Sequence, residues 1–338
     1  MSGVPVITPH MSTSVAPAST GNTTASTVRA SATATPAGPP RGPVLLNFAV
    51  VYLIWGSTYL AIRYVLETLP PLLSGGARFV AAGAVLLALA AWNDRRRGAP
   101  GEPVTRIQWG LATIVGGLLF LGGNGAVMWA EQRVASGIAA LLVAIMPLWL
   151  VLLEWVRPGG HRPTLLTMAG LLLGTAGLAL LVGVPSGAGS VDIAGVVVLL
   201  LGSLLWAAGS LVARSPRLPR NALRNSGMQM LTGGALLLVA GTLGGEWARL
   251  DLAHVSRASW LGWLYLVTFG SLLGFTSFAW LMRNVAAAKV ATYAYVNPVI
   301  AVFLGWLVAN EPVGPRTIAA AAVIVAAVVL FTVGKSKG

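Results

Sequence analysis

The chain of 338 residues has no cysteine, which excludes a disulfide, a thiolate metal site and a thiol redox motif. Acidic residues are scarce too, with nine Asp and Glu against 22 Lys and Arg. Charged residues make up 9% of the chain, where a soluble domain carries about 25%. A surface that poor in charge has lipid as its natural solvent. His10, His161 and His254 fall in the N-terminal tail or in loops, and no His/Asp/Glu cluster has metal-ligand spacing, so no metal or other cofactor is expected. A GxxxxGK[ST] phosphate loop is missing, which excludes a nucleotide-driven pump within this chain. The grouping of acids and histidine at the membrane surface that marks a lipid-modifying membrane enzyme is missing as well, so no enzymatic activity is expected.

Apolar residues are abundant: 56% of the chain, with a mean hydropathy of +0.79. Residues 1–43 stand apart, rich in Ser, Thr, Ala and Pro, with Arg29 and Arg41 as their only formal charges. No apolar block there resembles a signal-peptide core, and the segment reads as a disordered cytosolic tail. Beyond it, apolar runs of bilayer-crossing length follow one another over 44–66, 70–92, 107–129, 134–156, 164–184, 192–213, 223–245, 259–282, 287–309 and 316–333. Lipid-facing backbone must satisfy its own hydrogen bonds, so these spans are expected to be helices. The fold class expected is an all-α membrane protein of ten transmembrane helices.

The net charge of +13 would elsewhere suggest nucleic acid. Here the cations sit in short loops between apolar runs, and the bilayer accounts for them, so no nucleic-acid partner is expected. With the N-terminus in the cytosol, sixteen Lys and Arg fall on the cytosolic side, four on the outer side, and Arg63 and Arg78 within spans. That bias places both termini in the cytosol and the protein in a plasma or inner membrane.

Laid on itself with an offset of 151 residues, the sequence repeats. Trp55 meets Trp206, Trp109 meets Trp260, Trp129 meets Trp280, and Trp155 meets Trp306. Chance would give about 0.2 such pairs at one offset. Gly76 meets Gly227, Gly83 meets Gly234, Gly123 meets Gly274, Pro147 meets Pro298, and Arg63 meets Arg214. The repeats are expected over 44–184 and 192–333. Each holds five spans, and an odd number turns the second copy upside down. Two inverted five-helix repeats suit alternating access around a central site.

The ordered segments resemble the drug/metabolite transporter superfamily, and EamA-type permeases in particular. The first two spans read YLIWGSTYLAIRYVLETLPP and LLSGGARFVAAGAVLLALA. The third and fourth read GNGAVMWAEQRVASGIAALLVAIMPLWLVLLEW, and the last two VATYAYVNPVIAVFLGWLVANEPVGPRTIAAAAVIVAAVVL. Pro298, followed thirteen residues later by Glu311, resembles the family's P…E element. Thirteen residues past Pro147 stands Gly160 instead, and Glu154 is not at the equivalent place. The resemblance implies an inner-membrane carrier exporting amino acids, other metabolites or toxic compounds, with a cavity lined by spans 1, 3, 4, 6, 8 and 9. The partners implied are a small-molecule substrate and the lipid bilayer.

Arg78 lies eight residues into span 2, roughly 12 Å from the outer end at 1.5 Å per residue. A charge at that depth is costly unless it is paired, hydrated or able to snorkel. Two readings are open: it faces the cavity and attracts a substrate carboxylate, or it snorkels or pairs with Glu67 or Glu131 as a structural tie. The repeat puts Gln229 at its counterpart position. Trp55, Thr58 and Tyr59 share a face of span 1 with Ile62, and Trp206 and Ser210 a face of span 6, as cavity candidates for an amphipathic ligand or as packing. Asn124, Met128 and Glu131 recur at i, i+4, i+7 on span 3. Tyr293 and Asn297 precede Pro298, which removes a helical hydrogen bond and frees a carbonyl. Gly170, Gly174 and Gly177 in span 5 favour close helix contact, within the subunit before a homodimer seam.

Glu67, Glu131 and Glu154 all lie toward span ends, and no acid sits at mid-span. The expectation is weak or no obligatory proton coupling through a central carboxylate. Export of amino acids or related metabolites leads. A drug or toxic-cation exporter, which would need an acid facing the cavity, is the alternative, and a membrane-embedded lipid-modifying enzyme is the alternative of another class.

Overall fold

The computed structural model describes residues 40–98, 101, 103–156, 164–182, 192–285, 290 and 293–335. The tail expected over 1–43 falls almost wholly outside these residues. Among the described residues the chain is helical, with no strand. The helices are α1 Arg41–Val65, α2 Pro71–Arg96, α3 Arg106–Ala130, α4 Ser136–Val156, α5 Leu165–Val182, α6 Ile193–Val212, α7 Ala222–Leu243, α8 Arg257–Met282, α9 Tyr293–Ala309 and α10 Pro315–Lys335. Seven of them, α1 to α4 and α6 to α8, are long and apolar enough to cross a membrane. Val296–Ala309 and Pro315–Ala327 are shorter apolar helical stretches.

Helix starts follow the local sequence. Pro71 opens α2 at a position whose N–H would have no helical partner. Thr105 and Gln108 cap α3 reciprocally, and Asp192, Asn221 and Ser256 each accept a backbone N–H at the start of α6, α7 and α8.

The packing is that of two copies. Helix α1 packs on α8 and α9, as α6 packs on α3 and α4. Helix α3 packs on α7, as α8 packs on α2. The pairs α2–α7 and α5–α10 run side by side. Exchanging α1–α5 with α6–α10 leaves this set unchanged, as a two-fold relation between the halves requires. The α2–α7 crossing shows it residue by residue. A Cβ on Gly76 would lie 2.9 Å from the Gly234 carbonyl oxygen, and one on Gly83 would lie 2.8 Å from that of Gly227. The repeat turns the first contact into the second. Only glycine lets the two backbones approach so closely. Gly174 and Gly177 of α5 press on Leu148, Val323 and Ile324 of the same chain.

Two irregularities also repeat. The middle of α3 (Gly117–Asn124) and of α8 (Leu266–Leu273) is wound as a π-helix, a local widening often found at functional sites. In α4 and α9 the repeat-related Pro147 and Pro298 lack an N–H, so the carbonyls of Val143 and Ala294 lose their helical partners. Helix α4 breaks into a turn just there, between Val143 and Met146.

Candidate functional site

The widened stretch of α3, the broken stretch of α4 and Pro298 of α9 face one central cavity of about 90 Å³. That is room for roughly six to nine waters at about 10–15 Å³ each on the same measure. Its wall comes from α1, α2, α3, α4, α6, α8 and α9. The six helices implied by the family resemblance are all present, and α2 adds Arg78.

Of the residues singled out from the sequence, the cavity brings together Trp55, Thr58, Tyr59, Arg78, Asn124, Trp206, Tyr293 and Asn297. Three stand outside it. Met128 is fully buried and packs against Gly75 of α2. Ser210 turns its hydroxyl back to the Trp206 carbonyl at 2.8 Å. Gln229 is buried and donates its amide to Asn225 at 2.8 Å.

Trp55 and Trp206 occupy related positions and are seated in related ways. The Trp55 indole lies against Gly274 of the other half, and the Trp206 indole against Gly123. A side chain at either glycine would collide with the ring. Trp55 also donates its indole N–H to the Gly270 carbonyl at 3.2 Å and packs on Phe275, Phe278 and Tyr293, with ring centroids 5.1–5.2 Å away. One face of the cavity is therefore a fixed aromatic wall.

Polar groups punctuate that wall. The Thr58 hydroxyl bonds the Trp55 carbonyl at 2.6 Å. The Asn124 amide donates to Leu119 at 3.3 Å, across the wide turn of the π-helix. With its amide nitrogen turned toward them, Asn297 donates to the Tyr52 and Tyr293 carbonyls at 3.2 Å. Ser203, which the sequence reading missed, accepts the Trp149 indole N–H at 2.9 Å on the wall.

Arg78 is the one charged side chain among the described lining residues. It is 3% exposed. Its Nε donates to the Ser271 hydroxyl at 2.9 Å, and its guanidinium lies 4.6 Å from the centroid of the Phe79 ring. Among the described residues no carboxylate answers it, and Nη1 has no hydrogen-bond partner. The tie to Glu67 or Glu131 that would have made Arg78 structural is not formed. The two-fold relation maps Arg78 to Gln229 and Ser271 to Phe120, so the cation is not duplicated. A buried donor left unmade costs about 1–3 kcal/mol, more when it is charged. The cavity thus holds an unanswered cation beside aromatic faces, hydroxyls and amides.

Both ends of the cavity are tied by ion pairs. At the end bearing the α1–α2 turn, Arg63 meets Glu311 at 2.6 Å. Glu311 also accepts the Ser136 hydroxyl at 2.7 Å and the N–H groups of Ser136 and Gly137 at 3.0 and 3.2 Å, capping α4. Asn310, left-handed at φ 51°, turns the chain so that this carboxylate lies over Gly305. Burial alone would raise the Glu311 carboxyl, but the hydrogen bonds from Ser136, Arg63 and Gly137 together hold it below the ordinary carboxylate value. At the opposite end Arg214 meets Glu154 at 3.2 Å, and Arg224 pairs with Asp94.

The chain matches the EamA-like transporter family twice, over residues 42–183 and 193–333. It is 38% identical over 295 residues to YedA of Escherichia coli strain K12, named an uncharacterized inner membrane transporter, covering 87% of this chain and 92% of that protein. It is 25% identical over 302 residues to the uncharacterized transporter YoaV of Bacillus subtilis strain 168, covering 87% and 99%. A solved crystal structure that is 22% identical matches with a TM-score of 0.60, covering 87% of this chain and 98% of that one, and shows the fold alone. With two family repeats, a two-fold helical body and transporters as relatives, the chain belongs to the EamA-like transporter family.

Proposed function

We propose that this membrane transporter is a secondary carrier that exports small organic metabolites, amino acids or similar solutes, by alternating access. In this reading ten helices cross the bilayer as two inverted repeats, 44–184 and 192–333. The termini lie in the cytosol, and the end bearing the α1–α2 turn faces outward. The excess of Lys and Arg in the loops at the other end supports that orientation.

The observation that carries the solute class is Arg78. A buried guanidinium with a free N–H in an otherwise neutral cavity suits a carboxylate, which accepts such donors strongly. The aromatic wall of Trp55 and Trp206 suits an apolar body, and the small cavity suits a small one. Export of a toxic cation would call for an acid on the wall, and the described lining residues include none. Irregular backbone at the cavity, the wide turn at Gly123 and Asn124, the break between Val143 and Met146 and Pro298, supports a carrier that reorganises about a fixed site.

The test is an export screen in cells overproducing the protein, covering amino acids, purines and cationic dyes, repeated with Arg78→Gln. Export of a carboxylate-bearing solute should be lost in the variant. Unchanged export of such a solute would remove the carboxylate-binding role.

A further inference from the structure

Glu131 follows the last residue of α3 at the end bearing the α1–α2 turn. It is 9% exposed, and neither carboxyl oxygen has a hydrogen-bond partner among the described residues. The charged and titratable groups that face it are Tyr59 and Arg63 of α1 and Glu311 of the α9–α10 turn. On its own turn, Arg133 is directed elsewhere, to the Trp129 ring at 3.9 Å and to Asp192 of α6 at 3.9 Å.

Two carboxylates therefore share one arginine, and Arg63 is taken. It holds Glu311, which gathers three further donors from α4. Glu131 gathers none. A buried, unanswered carboxylate beside another carboxylate favours its neutral form. Burial pushes the Glu131 carboxyl well above the ordinary range, Glu311 adds to the shift, and Arg63 opposes it. Adjacent acids whose surroundings drive them apart mark distinct roles, one ionised and one proton-holding.

We propose that Glu131 is a proton-binding site that licenses closure of the outer end: it holds a proton while the Arg63–Glu311 clamp is made, and releases it to outer water when that end opens. The inference rests on the alternating-access reading for the existence of an outward-open state. Opening hydrates Glu131 and restores its acidity, so the open form favours the carboxylate. By linkage, acid outside favours the closed form, and alkali outside favours the open one. The expectation drawn from sequence concerned a central carboxylate; this proposal puts the proton instead on an acid near a helix end.

The chain has no native cysteine, so single thiols report access cleanly. Ala140 of α4 lines the cavity and is 1% exposed, whereas Leu252 in the α7–α8 connection is 64% exposed. In intact cells, a membrane-impermeant thiol reagent is applied to Ala140→Cys and, as a reference for thiol ionisation, to Leu252→Cys. The pH outside runs from about 5 to about 9, a range that includes the raised values known for buried carboxyls. The Ala140/Leu252 labelling ratio should fall several-fold toward the acid end, stay low at every pH with Glu131→Gln added, and keep its pH response with Glu131→Asp. A ratio flat with pH in the chain that retains Glu131, or a response undiminished by Glu131→Gln, would overturn the proposal. If Glu131→Gln does not reach the membrane, the first curve and that of Glu131→Asp decide. Labelling of Ala140→Cys at no pH would instead remove the outward-open state and the alternating-access reading with it.

Discussion

Arg63 and Arg214 stand at the same place in the two repeats, 151 residues apart, and each ties its helix end to a carboxylate at opposite ends of the cavity. Glu311 serves Arg63 from the turn after α9, and Glu154 serves Arg214 from the last turn of α4. In the first half the acid stands at 154 and glycine at 160. In the second, glycine stands at 305 and the acid at 311. The two residue types have exchanged places, so the missing acid at Gly160 does not leave Arg214 unanswered. The two clamps differ in weight: the Glu311 side chain is 4% exposed and also caps α4, whereas that of Glu154 is 28% exposed.

Replacing Glu311 by Gln should loosen the end bearing the α1–α2 turn. The variant keeps the shape but loses the charge that answers Arg63 and the α4 N-terminus. A cost of about 1–3 kcal/mol is expected, mostly from donors left poorly satisfied, because solvent screens the half-exposed Arg63. Thermal unfolding in detergent should show the loss, and Ala140→Cys should label faster from outside. Arg214→Gln should cost less, at most about 1 kcal/mol, as exposed pairs do.

The Arg63–Glu311 clamp has a pH window. The Glu311 carboxyl is held low, so its ties persist above the ordinary carboxylate range and are lost as pH falls through its lowered value. The Glu131 carboxyl is held high, so the neutral form that favours closure is present at lower pH and lost as pH rises through its raised value. Closure at that end should therefore peak between the two, and, with that end facing outward as proposed, transport rate against external pH should show both limits. With Glu131→Gln only the acid limit should remain.

Gly83→Val should prevent stable folding or cost at least about 1–3 kcal/mol, because its Cβ would lie 2.6 Å from the Leu231 backbone nitrogen of α7. Gly110→Ala, with nothing within 4 Å of the new carbon, should be neutral. Comparing melting temperatures of the two purified variants checks this. Equal stability would mean that α2 and α7 do not cross where described.

Arg78→Gln should lower the affinity for a carboxylate solute by about 10- to 150-fold, the worth of one charged hydrogen bond at about 1.5–3 kcal/mol. Arg78→Lys should recover part of it, since lysine keeps the charge without the guanidinium fork. Saturation curves for the three proteins check the order.

Much of the fold was legible because lipid imposes a simple rule: long apolar runs must become helices. The helices observed begin and end within a few residues of most expected spans, and residues paired by the repeat recur in related contacts, Trp55 on Gly274 and Trp206 on Gly123. The wall of the site was harder to read. Asn124 and Met128 are one ordinary helical turn apart, yet it is Val127 that joins Asn124 on the wall, while Met128, a little further round the helix, packs against Gly75. Ser210 follows Trp206 by one turn, and its hydroxyl is used by its own helix. The burial of Glu131 depends on a turn some 180 residues downstream and left no local signal. Arg78 stood out because a lone charge in an apolar run is expensive wherever it points.

Counterflow bears most directly on a carrier with an anchored central site. Liposomes holding the protein are loaded with an unlabelled amino acid, and uptake of the same labelled solute from a dilute outer solution is followed. Uptake should overshoot equilibrium, saturate with concentration, outrun uptake into empty liposomes and be lost in Arg78→Gln. Flux that rises in proportion to concentration, ignores the load inside and is indifferent to Arg78 would contradict it.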